Sequence, residues 1–460
     1  MMNSVHQPPV RGRRWHPFRS WGTFVSRRGV WTAIAGALVL VTGLAACSEA
    51  APEKSSSGAR NESDPSCEGS AALIECARRS TIGDLVPEKP TAATGEPLVI
   101  GMVNQESSVA GAYPELSQAT QAAVDFVNEN LGGVNGRPIR LEICNTGFST
   151  EESAGCGQRL VEAKVPAVLG GIDVFGNSIQ TLSDNGVPYV GGIPISKQSV
   201  TSETSYQWSG GSWGATVAMA EHAAKKGKAK KVSIVYGDFG SIADSAETAR
   251  RVLEGYDVQV QMVPFPILTT DLSPALTAAA SSDPDAVFVL ATDTGCKAGF
   301  EGLRALGVDA AKYFVGSCAA PTIIDSVDTE ATDGAIFNVE GPILGGDADA
   351  DGTLYASVID QYGEPGLDPV GAGTVTFRSF MNLYAILRGI DGAITPASIN
   401  KALRATADEP SFMGHPYTCD RNQFDGLPAM CSPQQILAQM KNKQLKQITD
   451  WIDVGAISRA

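Results

Sequence analysis

The sequence predicts an α/β protein built from two doubly wound βα lobes, on three observations. Residues 98–143 read as a strand, a small-residue loop, a long helix and a second strand. The pattern restarts at Val232-Ser233-Ile234-Val235-Tyr236, again followed by a small-residue loop, Gly237-Asp238-Phe239-Gly240. Between and beyond these points strand-like and helix-like stretches alternate, as crossover helices between parallel strands require.

Each element has a local cause. Residues 98–103 (LVIGMV) form an apolar, β-branched run with the length of a buried strand. Pro114 suits the first turn of the next helix, where its missing N–H removes no hydrogen bond. Leu116, Ala119, Ala123, Val127 and Leu131 recur at helical spacing, and Gly132-Gly133 supplies the stop. Asn135-Gly136 turns the chain into residues 139–143, which alternate apolar and polar. Strands are expected at 98–103, 139–144, 166–169, 188–191, 232–236, 258–263, 286–291, 313–316 and 335–339. Helical patterns between them cover 153–163, 213–226, 242–253 and 274–281. Residues 372–388 read as one long amphipathic helix with Val375, Ser379, Leu383 and Ile386 on one face. Thr395-Pro396 caps and starts another that runs to Arg404.

Composition bounds the function. Of the 460 residues, 43% are hydrophobic but only 7% aromatic, and 49 are glycine, which fits an Ala/Gly-rich α/β protein with room for two or three domains. The formal charge is −15. Residues 1–46 carry six arginines and no lysine or acid, so the rest holds 29 Lys and Arg against 50 Asp and Glu, a balance of −21. A surface that acidic argues against nucleic acid as a partner, which needs a positive footprint.

The N-terminus reads as a targeting segment. A basic stretch precedes the apolar run 30–46, which is short for a membrane span. Leu44-Ala45-Ala46-Cys47 resembles the lipobox of bacterial lipoproteins, which implies lipidation at Cys47; an uncleaved anchor helix is the plainer alternative. Ser26-Arg27-Arg28 matches a twin-arginine export signal only in part. Residues 48–95, rich in Ser, Pro, Glu and Ala, read as a tether with one ordered island at Cys67 and Cys76. Beyond Cys47 eight cysteines remain. An even number in an exported chain reads as disulfides. Eight cysteines allow 105 pairings; proximity suggests Cys67–Cys76, Cys144–Cys156, Cys296–Cys318 and Cys419–Cys431. Cys296 and Cys318 each follow an apolar strand, so neighbouring parallel strands would bring them together. No C-x-x-C occurs and only four histidines exist, two of them in the signal segment, so no metal or cofactor is expected.

The helix that closes on N-E-N-L-G-G-V-N-G-R-P-I-R-L (128–141) resembles the first lobe of the Leu/Ile/Val type of periplasmic binding protein, and the likeness extends more loosely from about 98 to about 451. The resemblance implies the type I fold of that family, with two lobes joined by about three crossings. The domains are then 1–46 signal peptide, 47–96 tether, 97–209 with 341–414 as first lobe, and 210–340 with 415–455 as second. Residues 419–431 and the tail 436–452 would add a hairpin, a helix fragment and a strand to the second lobe. The resemblance also implies a small amino-acid-like ligand between the lobes and delivery to the permease subunits of an ABC importer.

Ligands of such folds sit where loops leave the carboxyl ends of strands. After the first strand, Ser107, Ser108 and Tyr113 are candidates. Asn177 and Ser178 begin a helix where relatives offer a hydroxyl to the ligand carboxylate, although Asp173 in that loop would repel one. Ile193 and Ser196 line the next wall. Phe239 stands where relatives place an aromatic lid. Relatives hold the ammonium with an acid at a position that here reads Gly316-Ser317-Cys318-Ala319, leaving Ser317 in its place and Asp293 as the nearest acid. For each polar residue helix capping is the simpler role. A ligand-sensing receptor with the same fold is an alternative function. Gly210-Gly211-Ser212-Trp213-Gly214 also fits the G-x-S-x-G elbow of serine hydrolases, but His222 lies on the same helical pattern and only His415 remains as a base. No enzyme is expected.

Overall fold

The computed structural model describes residues 67–460, apart from 109–110, 268, 342 and 344–348. The segment 1–66, with the signal peptide and Cys47, lies outside the described residues.

Two sheets organise the chain. The first contains β1 (Leu98–Asn104), β2 (Ile139–Asn145), β3 (Val168–Gly170), β4 (Tyr189–Val190) and β5 (Ser205–Tyr206), all parallel in the order β2-β1-β3-β4-β5. The second contains β6 (Lys231–Gly237), β7 (Gln259–Phe265), β8 (Ala286–Leu290), β9 (Ala311–Phe314) and β10 (Ile336–Val339) in the order β7-β6-β8-β9-β10. That is the same winding. The antiparallel hairpin β11 (Ile436–Lys441) and β12 (Gln444–Gln447) extends it past β10. Each winding reverses once, between β1 and β3 and between β6 and β8, and those reversals are where doubly wound sheets open a crevice.

The local causes read from the sequence operate as written. Pro114 starts the helix Pro114–Asn130. Gly133 has φ +62°, and a Cβ there would meet the Arg137 carbonyl at 2.1 Å, so only glycine makes this turn into β2. Thr395 forms a capping box with Ser398 at the helix Pro396–Arg404. β5 was not anticipated; two residues are too few to carry a period.

Core membership assigns the remaining segments. The helices Ala350–Tyr362 and Gly373–Arg388 bury Leu354, Val358, Phe377, Phe380 and Leu383 against the first sheet, beside Ile100, Met102 and Phe126. The tether expected up to residue 96 is corrected here. From Cys67 the chain is part of the first lobe: Leu73, Ile74, Cys76 and Ala77 of the helix Ser70–Arg79 are buried in the same core. Thr81 then donates to the Asp351 carboxylate through its N–H (2.7 Å) and hydroxyl (2.6 Å). Tyr417, Cys419 and Cys431 pack in the first core while Phe424 and Met430 pack in the second, so the last crossing is spread over residues 417–435 and not fixed at the expected 414, and residues 419–431 contain no helix.

All four expected disulfides are formed, with Cα–Cα distances of 6.2, 5.6, 5.3 and 4.4 Å in chain order. Cys296–Cys318 joins the helix after β8 to the short helical turn after β9, the two strands being parallel neighbours. Among the described residues no helix is long and apolar enough to cross a membrane.

Candidate functional site

Loops from the carboxyl ends of both sheets meet in front of the two winding reversals. From the first lobe, Phe148 follows β2 and Phe175 follows β3; from the second, Phe239 follows β6 and precedes the helix Gly240–Gly255. Their rings touch across the gap. Phe239 lies 5.8 Å from Phe175, edge to face at 86°, and 6.0 Å from Phe148, which lies 5.2 Å from Phe175. Beside them the Ser241 hydroxyl donates to the Ile195 carbonyl on the opposite wall. Phe239 therefore reaches the first lobe. Phe148 and Phe175 were missed. The signal for them was an aromatic just past a strand end in each case, and Phe148 sits in the Cys144–Cys156 loop.

The polar candidates are mostly spoken for. Asp173 is 2% exposed and forms no ion pair among the described residues. A buried carboxylate of that kind collects donors. Ser178 Oγ (2.6 Å), Ser153 Oγ (2.8 Å) and the Gly176 N–H (3.1 Å) all bond to it. Ser178 is fully buried, and its hydroxyl is committed to Asp173 instead of the cleft. Asp173 faces inward, so its charge does not line the gap as expected. Together with burial, that charge raises the pKa of Tyr189 above the ordinary phenol range. Asn177 is half-buried at the start of the helix Asn177–Asp184. Ser196 caps the five-residue helix Lys197–Thr201 by accepting the Ser199 N–H at 3.3 Å.

In the first loop, Ser107 Oγ accepts from Asn145 Nδ2 (2.9 Å), and Ser108 Oγ donates to the Gly111 carbonyl (2.6 Å). Tyr113 is half-buried and packs against the first core. Ile193 does the same, with its N–H on the Gly171 carbonyl at 3.0 Å. Ser317 is exposed in the turn after β9. Asp293 opens the helix Asp293–Ala305; its side chain lies outside the described residues.

The floor of the cleft is the hinge, and one carboxylate organises it. Glu340, just past β10, accepts Ser209 Oγ (2.7 Å) and the Gly211 N–H (3.2 Å) from the first passage between lobes. It accepts Gln435 Nε2 (3.1 Å) from the third passage and pairs with Arg378 at 3.2 Å. The two side chains are 4% and 12% exposed for Arg378 and Glu340. Burial lowers the Arg378 pKa from its ordinary value and the Glu340 charge opposes that.

The elbow serine, Ser212, starts the helix Gly211–Lys225 beside this hinge. His222 lies on that same helix with Nδ1 2.9 Å from the Tyr313 hydroxyl, and His415 Nδ1 lies 2.8 Å from the Pro416 carbonyl. Neither histidine is hydrogen-bonded to Ser212. Among the described residues no cluster of His, Cys, Asp or Glu is arranged to hold a metal ion. A surface depression of about 500 Å³ lined by Thr204, Asn400, Lys401 and Arg404 lies at the outer edge strand of the first sheet, away from these loops.

Solved structures share this architecture. A leucine-binding protein from Thermotoga maritima matches at 17% identity and TM-score 0.64, covering 76% of this chain and 98% of its own. A solute-binding protein of an ABC transporter from R. palustris, in complex with 4-hydroxybenzoate, matches at 19% identity and TM-score 0.63, covering 78% and 98%. A fatty-acid ABC transporter substrate-binding protein from Thermomonospora curvata matches at 16% and 0.67, covering 81% and 96%. No curated protein matches the sequence. The family model described as periplasmic binding protein matches residues 97–434. With its two type I lobes and aromatic contact across the gap, this chain belongs to the periplasmic binding protein family, whose members bind ligands without catalysing a reaction on them.

Proposed function

We propose that the chain is the extracytoplasmic, lipid-anchored binding component of an ABC importer, held to the membrane through Cys47. It captures a small organic solute between its lobes and passes it to permease subunits. The observation that carries the reading is the contact of Phe239 with Phe148 and Phe175, which bridges the two lobes. A ligand that touches both walls shifts the population toward the shut form. The ligands named for the similar structures, leucine, 4-hydroxybenzoate and fatty acid, have a carboxyl group in common. That group is all we carry over to this chain. Ser107, Ser108, Tyr113, Asn177, Ile193, Ser196 and Phe239 are the residues we place along the walls.

A thermal-shift screen of amino acids, amides and simple carboxylic acids tests the reading, followed by small-angle scattering with each hit. A solute present at 100 Kd adds about 2.7 kcal/mol to stability, and compaction should accompany it. A panel that moves neither melting nor scattering would refute solute capture.

A further inference from the structure

We infer that the turn 146–149, fixed by the Cys144–Cys156 bridge, positions the Phe148 ring as the stationary half of a clasp with Phe239, and that this clasp sets the balance between open and shut lobes. This rests on the solute-binding reading above and deepens it by naming what controls closure.

The turn carries an unusual residue. The Ser149 N–H donates back to the Thr146 carbonyl at 2.9 Å, and the two residues inside, Gly147 and Phe148, have φ of +59° and +56°. Turns with positive φ at both central positions ordinarily place Gly, Asn or Asp there. Gly147 meets that demand, and a Cβ on it would lie 2.4 Å from Glu152 Oε2. Phe148 does not. A side chain of that bulk in the left-handed region is an outlier that persists only where its surroundings over-determine it.

The surroundings do so on both sides. Before the turn, Cys144 at the end of β2 is bridged to Cys156 on the helix Thr150–Glu162. Asn145 Oδ1 accepts the Gly147 N–H and, from the loop after β1, the Glu106 N–H, each at 3.0 Å. The Thr146 N–H donates to the Asn104 carbonyl at 2.9 Å. After the turn, Ser149 caps the helix by accepting the Glu152 N–H at 3.2 Å. From the next helical turn Ser153 Oγ donates to Asp173 at 2.8 Å, in the loop that carries Phe175. The two first-lobe rings are therefore held in register with each other, 5.2 Å apart.

This ring placement serves no core. Among the described residues, none of the three rings packs into the hydrophobic core of either lobe. The Phe148 ring meets Phe175 and, across the gap, Phe239. Gly or Asn would fit the turn with less strain but would lose that partner. A hinge motion that parts the lobes must part Phe239 from both first-lobe rings and Ser241 from the Ile195 carbonyl. Each ring pair thus weights the shut side of the equilibrium, and the apparent affinity for a solute scales with the fraction of protein that can reach it.

Small-angle scattering of the purified protein with no solute added, fitted to open and shut forms, tests the clasp. Phe148→Asn suits the turn and removes the ring, so the shut-to-open ratio should fall about 2- to 13-fold, the value of one aromatic pair. Phe148→Tyr keeps the ring and should hold the parent ratio. In a Phe239→Ala background the partner is gone, and Phe148→Asn should change the ratio less than about twofold. A merely structural role would lower it equally in both backgrounds. Replacing Cys144 and Cys156 together by alanine keeps the ring but frees the turn, and should also lower the ratio; should that variant fail to fold, the Phe148 variants carry the test. A parent-like ratio in folded Phe148→Asn, or an equal fall in both backgrounds, overturns the clasp. A parent-like ratio without the bridge overturns its positioning role. Because no solute is present, these failures are read apart from a silent solute panel, which would refute solute capture instead.

Discussion

Removing the charge of Glu340 is the sharpest available test of the hinge, and it needs no ligand. Glu340→Gln keeps the shape of the side chain but leaves the Arg378 guanidinium, 4% exposed, without a counterion. Breaking one side of a buried pair costs about 3–5 kcal/mol, because the remaining charge stays desolvated. Unfolding entropy of roughly 2.1 cal/mol/K per residue over the roughly 390 residues of the folded body gives about 0.8 kcal/mol/K. The variant should therefore melt about 4–6 °C below the parent. Adding Arg378→Met removes the stranded cation, so the double variant should recover most of the loss. Differential scanning calorimetry at neutral pH measures all of these variants. A Glu340→Gln variant melting within roughly 1 °C of the parent, or a double variant no better than the sum of the singles, would refute the claim that this pair ties the passages together.

Three further outcomes are expected. Phe239→Ala removes two ring contacts worth about 0.5–1.5 kcal/mol each, so affinity for the best compound of the screen should fall about 5- to 150-fold; titration calorimetry checks it, and a change below twofold would misplace the lid. Ser178→Ala takes one hydrogen bond from the buried Asp173 carboxylate and should cost about 1.5–3 kcal/mol in denaturant melts while leaving ligand affinity unchanged; the reverse pattern would return Ser178 to the pocket. For pH, burial and then Lys226 hold the His222 pKa below its ordinary value. Its contribution is complete above the unfolded pKa near 6.5 and is lost as pH falls through the lower folded value. His222→Gln should accordingly flatten the loss of melting temperature between neutral pH and pH 5; an unchanged profile would show that His222 does not titrate on unfolding.

Much of the fold was legible because periodicity and punctuation are local. The run 98–103, Pro114, the glycine pair at 132–133 and the Thr395 cap each state their conformation within a few residues. The Cys296–Cys318 bridge was also readable, since two strand ends beside one another admit few alternatives. What the sequence hid was non-local. The Ser70–Arg79 helix carries Leu73, Ile74, Cys76 and Ala77 as its buried anchors beside a polar stretch, and Thr81 just after it is held by Asp351, 270 residues away. The contact between the lobes was legible where an aromatic stood alone, as at Phe239. The sequence misled where a hydroxyl had two possible partners: nothing near Ser178 in sequence says that Asp173 turns inward to take it. The Glu340 hub draws on four separated segments, and no spacing rule reports that.

The attachment of residues 67–81 to the back of the first lobe has a mechanical consequence. Residues 67–81 are fixed in that lobe, closed by Cys67–Cys76 and held by Thr81 on Asp351. Force applied at residue 67 is borne by the first lobe, which then acts as the stator. The second lobe, joined by its three passages and touching the first through Phe239 and Ser241, is the rotor, and Phe239 rides at its leading edge.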